Sequence, residues 1–122
     1  VQEGDAVAAG EVIARLDTRE LEAALRAAEA RIQRARQQRA MSEASIAQQG
    51  SALRLATLEF GRAETLHHRG FAPEQFLDQR RASQQTAAAG LRAAQSARSA
   101  ADADIAAAQA EADRINEQIG EA

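Results

Sequence analysis

This 122-residue sequence predicts an all-α fold: a long antiparallel two-helix coiled-coil hairpin with a short extended segment at its N-terminus. Three observations carry the expectation. Alanine fills 33 of the 55 apolar positions, leaving 22 Val, Ile, Leu, Met and Phe, too few large side chains to fill a compact globular core. Ala, Leu, Arg, Gln and Glu are strong helix formers, and one Pro and seven Gly punctuate the chain little. Apolar residues recur at alternating steps of three and four along two stretches separated by a single Gly-Phe-Ala-Pro turn signal.

Residues 1–16, VQEGDAVAAGEVIARL, differ from the rest of the chain. Val7, Val12 and Ile13 favour strands, and Gly4-Asp5 and Gly10 favour turns, so an extended segment is expected over this stretch. The first helix is expected from about 18 to 69. Asp17 is its candidate cap, Glu20 completes a capping box, and Leu16 with Leu21 forms a hydrophobic staple. Its stripe includes Leu21, Leu25, Ala28, Ile32, Ala35 and, further on, Leu53, Ala56, Phe60 and Ala63. Ten of its 13 positions are apolar, at the 3.5-residue period that keeps one seam on one partner.

Gly70 is placed to end the first helix, and the turn takes residues 70–72. Pro73 is expected at the first position of a second helix running to about 120, with Phe71 and Phe76 as its staple. The second stripe includes Leu77, Ala87, Leu91, Ile105, Ala112, Ile115 and Ile119, again ten apolar of 13. Folding at the turn pairs positions whose numbers sum to 143 or 144. Leu25 then meets Ile119, Ala28 meets Ile115, Ile32 meets Ala112, and Leu53 meets Leu91. The middle layers are polar: Arg39 falls opposite Ile105, Ser42 opposite Ala101, Ile46 opposite Arg98 and Gln49 opposite Ala94. Such layers bury little, so lateral partners, as in a homo-oligomer of packed hairpins, are expected.

Charge and missing residue types exclude several functions. The net charge of −3 offers no basic field for nucleic acid. Without Cys there is no disulfide, thiolate metal site or Cys nucleophile, and without Lys no lipoyl or biotin attachment and no Schiff base. No apolar run approaches the roughly 20 residues of a membrane span. His67 and His68 are neighbours about 100° apart on a helix, so they cannot chelate one metal together. Carboxylates such as Glu20, Glu22 and Glu29 are spread along helix faces. No enzyme, metal or cofactor is expected.

The opening segment and hairpin together resemble the membrane fusion protein family, the periplasmic adaptors of Gram-negative efflux pumps and type I secretion systems (haemolysin-D type). The first half of that family's lipoyl-like domain carries a pattern matched by Glu3-Gly4-Asp5, Val7, Gly10, Ile13 and Leu16-Asp17. The resemblance implies that residues 1–17 are one half of a lipoyl-like β-domain, that residues 18–122 are the inserted hairpin, and that the second half comes after Ala122. It also implies a tip that docks on a TolC-type outer-membrane channel, through an Arg, a Leu four residues on, and a Gly. Arg62, Leu66 and Gly70 have that spacing, while Pro73 stands where the family carries Ser. An inner-membrane transporter would be the other partner, and the periplasm the location, with an inner-membrane anchor. A structural coiled-coil module without a transport role is the alternative, and Arg62 and Leu66 would then be ordinary helix-surface residues.

Overall fold

The computed structural model describes residues 2–121, with side chains from 8 to 121; Val1 and Ala122 lie outside the described residues. Two helices account for nearly all of it: α1, Gln2–His68, and α2, Glu74–Glu121. The chain divides into two compact units, one made of residues 1–37 and 102–122 (the terminal unit) and one of residues 38–101 (the turn-bearing unit).

Both units are built on the expected seam. All 13 positions of each stripe are buried or half-buried. In the terminal unit, Ala28 and Ile32 of α1 pack with Ala108, Ala112 and Ile115 of α2, and Leu21, Leu25 and Ile119 flank this cluster. The cluster contains both partners of the expected layers Ala28–Ile115 and Ile32–Ala112, with Leu25 and Ile119 beside it, which is consistent with the expected antiparallel register. In the turn-bearing unit Leu53, Phe60 and Leu91 are half-buried on the seam, and Ala56, Ala63, Ala94 and Ala101 are buried.

The deepest positions are small. On α1, Ala28, Ala35, Ser42, Ala56 and Ala63 recur at multiples of seven residues, and all are at most 8% exposed. Ala94, Ala101 and Ala108 repeat the pattern on α2. Layers such as Ala35 with Ala108 and Ala56 with Ala87 therefore carry little more than a methyl group from each helix, whereas Ala28 packs in the cluster that holds Ile115. The larger residues of the other layers are covered only in part. Ile32 and Ile115, 6% and 5% exposed, are the large side chains that are buried among the described residues, and neither is fully covered.

The polar middle layers are held by named partners within the turn-bearing unit. The Ser42 hydroxyl donates to the Gln38 carbonyl at 3.0 Å. Glu43 stands between Arg39 on its own helix, at 3.4 Å, and Arg98 on α2, at 3.5 Å. Half-exposed ion pairs of this kind contribute about 0–1 kcal/mol each. They serve mainly to satisfy a seam that apolar residues leave open.

The N-terminal segment departs from expectation. Residues 2–16 are helical, continuous with the rest of α1, rather than an extended half of a lipoyl-like sheet. The side chains of Glu3, Gly4, Asp5 and Val7 lie outside the described residues. The cap and staple at Asp17 and Leu16 are absent as well. The helix passes through them, Leu16 is exposed, and the Thr18 hydroxyl donates back to the Ala14 carbonyl at 2.9 Å. The physical reason is backbone hydrogen bonding. A strand must find donors and acceptors on a neighbour, whereas a helix satisfies them within its own segment. No strand is present among the described residues to act as that neighbour.

Candidate functional site

The turn is built by the last residues of α1. Gly70 has a φ of 79°, the left-handed conformation that costs an L-residue its Cβ clearance. Its N–H donates to the His67 carbonyl at 3.0 Å, and the Phe71 N–H reaches back to the Leu66 carbonyl at 2.8 Å. That pair of bonds is a Schellman motif, which satisfies carbonyls that the helix end would otherwise leave open. The His67 ring adds a clasp: its Nδ1–H donates to the Ala72 carbonyl at 3.0 Å.

The second helix starts one residue later than expected. Glu74 opens α2, and the Pro73 carbonyl accepts from the Phe76 and Leu77 N–H groups at 3.1 and 3.4 Å. Pro73 therefore occupies the cap rather than the first helical position. Its missing N–H loses nothing there, and its fixed φ leads the chain into the helix. The expected staple between Phe71 and Phe76 does not form. Phe71 is 78% exposed, and the Arg80 guanidinium covers the Phe76 ring instead, 5.0 Å from its centroid.

Arg80 also crosses to α1, where it donates to Glu59 at 2.9 Å. Arg81 pairs with Asp78 at 3.2 Å and lies 5.6 Å from the Phe60 centroid. Gln84 donates to the Thr57 hydroxyl at 3.1 Å. These bonds tie the two helices together beside the turn. By sequence alone Arg80 and Arg81 read as a solvated face; the four-residue spacing of Arg80 from Phe76 signals one of their contacts, while Glu59 lies about one helical turn from the position the register sets opposite Arg80.

Of the four expected tip residues, two present side chains to solvent and two shape the backbone. Leu66 is 41% exposed and Arg62 is exposed. Both line a shallow groove of about 530 Å³ on α1, with Leu58 and Thr65 on its walls and Gly61 within it. A second hollow of about 260 Å³ lies between the helices and is lined by Arg62, Leu66, Ala63, Glu59, Phe76 and Arg80. Gly70 and Pro73 set the turn beyond them. Arg62, Leu66 and Phe71 thus give the end of the hairpin an apolar and cationic character suited to contacting another macromolecule.

His67 and His68 stand with ring centroids 6.3 Å apart and tilted. Among the described residues, no group of three His, Asp or Glu is placed to hold a metal ion, and no helix is long and apolar enough to cross a membrane. No family model, curated protein or solved structure matches the chain.

Proposed function

We propose that this chain is the hairpin of a periplasmic adaptor, a non-catalytic protein that links an inner-membrane transporter to an outer-membrane channel in efflux or type I secretion. One observation carries the reading. Arg62 and Leu66, at adaptor spacing ahead of Gly70, are exposed at the end of a helical hairpin whose turn is closed by its own hydrogen bonds. In this reading the mechanism is geometric. A turn held by the Schellman bonds and the His67 clasp presents a preset shape, so little ordering entropy is lost on docking. Leu66 supplies an apolar contact, and Arg62 meets channel carboxylates or carbonyls with charge-assisted hydrogen bonds.

The test is export by cells carrying Leu66→Ser and Arg62→Asp, with protein abundance and helix content measured in the same strains. End-on interfaces are small, and a few residues dominate their energy. Each substitution is expected to cut export at least about tenfold while leaving helix content unchanged. Normal export by the double variant removes this docking surface. Pro73→Ser is the complementary variant, expected to tighten binding to a TolC-type channel.

The helical course of residues 2–16 favours a second reading, a structural coiled-coil module with no transport role. Backbone chemical shifts at Val7 and Val12 in the protein purified from its own host separate the two. Strand values belong to an adaptor with a completed lipoyl-like domain, and helical values belong to the scaffold.

A further inference from the structure

The face of α1 turned away from the seam carries a ridge in the turn-bearing unit. Leu55, Leu58 and Leu66 lie along one side of the helix and are 56%, 54% and 41% exposed. Gly61 opens the groove of about 530 Å³ between Leu58 and Leu66. Arg62 lies on this face, Arg54 borders it beside Leu58, and Arg69 follows the end of the helix; among the described residues none of the three forms an ion pair. Nearby carboxylates do not offset them: Glu59 is taken by Arg80, and Glu64 sits about 200° round the helix from Arg62. The face is apolar and cationic, and its complement is a small-residue surface bearing carboxylates.

The other unit of the same chain has that composition. The turn-bearing unit holds eight Arg against five Asp or Glu, a net charge of +3, and the terminal unit holds seven Arg against 13 acids, a net charge of −6. Within the terminal unit the net negative charge concentrates on α2, where residues 102–121 carry six carboxylates against only Arg114, while the seven acids of residues 1–37 are nearly balanced by six Arg. Their outward face has Ala103, Ala106 and Ala110 exposed in a line, with Asp113, Glu117 and Glu121 continuing it. Leucine side chains fit over such a floor of methyl groups, and the arginines reach its carboxylates.

We propose that two copies of this chain associate through these faces, the Leu55–Leu58–Leu66 ridge of one seated on the Ala103–Ala106–Ala110 face of the other. Charge complementarity chooses the occupant: opposite net charges on two units of one chain favour contact between unlike units and disfavour contact between like units. The face shares Arg62 and Leu66 with the docking tip, so Leu58 and Ala110, which belong to no part of the tip motif, are the positions that separate association from channel docking.

The test uses the whole chain, which has no Cys of its own and so accepts single-Cys probes cleanly. Leu58→Cys mixed with Ala110→Cys is expected to form the mixed disulfide on mild oxidation, in preference to either homodimer. In sedimentation equilibrium the unmodified chain is expected to dimerise at low salt. Leu58→Ser and Arg62→Glu should each weaken the dimer about tenfold, the effect of truncating one central contact. Glu117→Arg added to Arg62→Glu should recover part of that loss. A chain that stays monomeric at low salt, or cross-links only between like positions, overturns the proposal. So does a monomer that binds phosphatidylglycerol vesicles through Leu58, because the ridge then belongs to a lipid surface.

Discussion

Gly70 shows how much one residue settles at the turn. Its φ of 79° lies where an added Cβ meets no neighbour, so the cost of a side chain there is purely one of backbone conformation. Gly70→Ala is expected to destabilise the hairpin by about 1–2 kcal/mol, the left-handed penalty of an L-residue, and Gly70→Asn by less. Urea unfolding followed by circular dichroism measures both, and equal stability of Gly70→Ala and the unsubstituted chain contradicts the conformational account. Phe71, next in the chain, is thrown outward by the same turn. It stands 78% exposed rather than packing on Phe76, whose ring is covered by Arg80.

At the scale of the helices, glycines sort by surroundings rather than by residue type. Gly61 is helical with open space around it, so Gly61→Ala should add about 1 kcal/mol through lower chain entropy and better helix propensity. Gly90 is different. A Cβ there would lie 2.6 Å from the Gln49 Oε1, so the glycine forms a notch that accepts the Gln49 side chain across the seam. The atom in the way is the end of a flexible side chain, and its displacement offsets part of the propensity gain. Gly90→Ala is expected to stabilise less than Gly61→Ala, and Gly90→Ala in a Gln49→Ala background to recover the difference. Thermal unfolding of the four variants forms the cycle that decides this. The notch, the Glu43 bridge between Arg39 and Arg98, and the Arg80–Glu59 pair are the polar contacts that accompany the antiparallel register of this unit.

Over the whole chain, stability is distributed unevenly. The helices cover each other only where α2 has residues to offer, and in the observed register Glu121 lies level with about residue 22 of α1. Residues 8–17 are exposed throughout, with Val12, Ile13 and Leu16 more than half accessible. Propensity alone supports a helix there, and short unpacked helices are marginal in water. Amide hydrogen exchange at 8–17 is therefore expected to run on the order of a hundredfold or more faster than at 28–35, where opening must break the Ala28–Ile32–Ala112–Ile115 cluster. Equal protection of the two stretches shows instead that a partner covers the N-terminal segment. The charge follows the same division, with the net −3 of the chain divided as +3 on one unit and −6 on the other.

Much of this was legible in the residues. The seam, the turn at Gly70 and the register came from the helical period and from glycine's access to positive φ, which are properties of a few neighbouring residues. Leu53, Leu91 and the Ala28–Ile115 layer lie on the seam where the period places them. For the candidate site, Arg62 and Leu66 were readable as a spacing, but their exposure and the grooves they line depend on what α2 leaves uncovered. Only the tertiary structure decided that residues 2–16 continue the helix, that Phe71 faces outward, that Gln49 fills the space at Gly90 and that burial is deepest at the alanines. Each of those depends on a distant partner: a strand needs another strand, a staple needs a free ring, and a notch needs the side chain that enters it. Local sequence specifies a helix and where it stops, while which of its atoms are covered is set by the segment that packs against it.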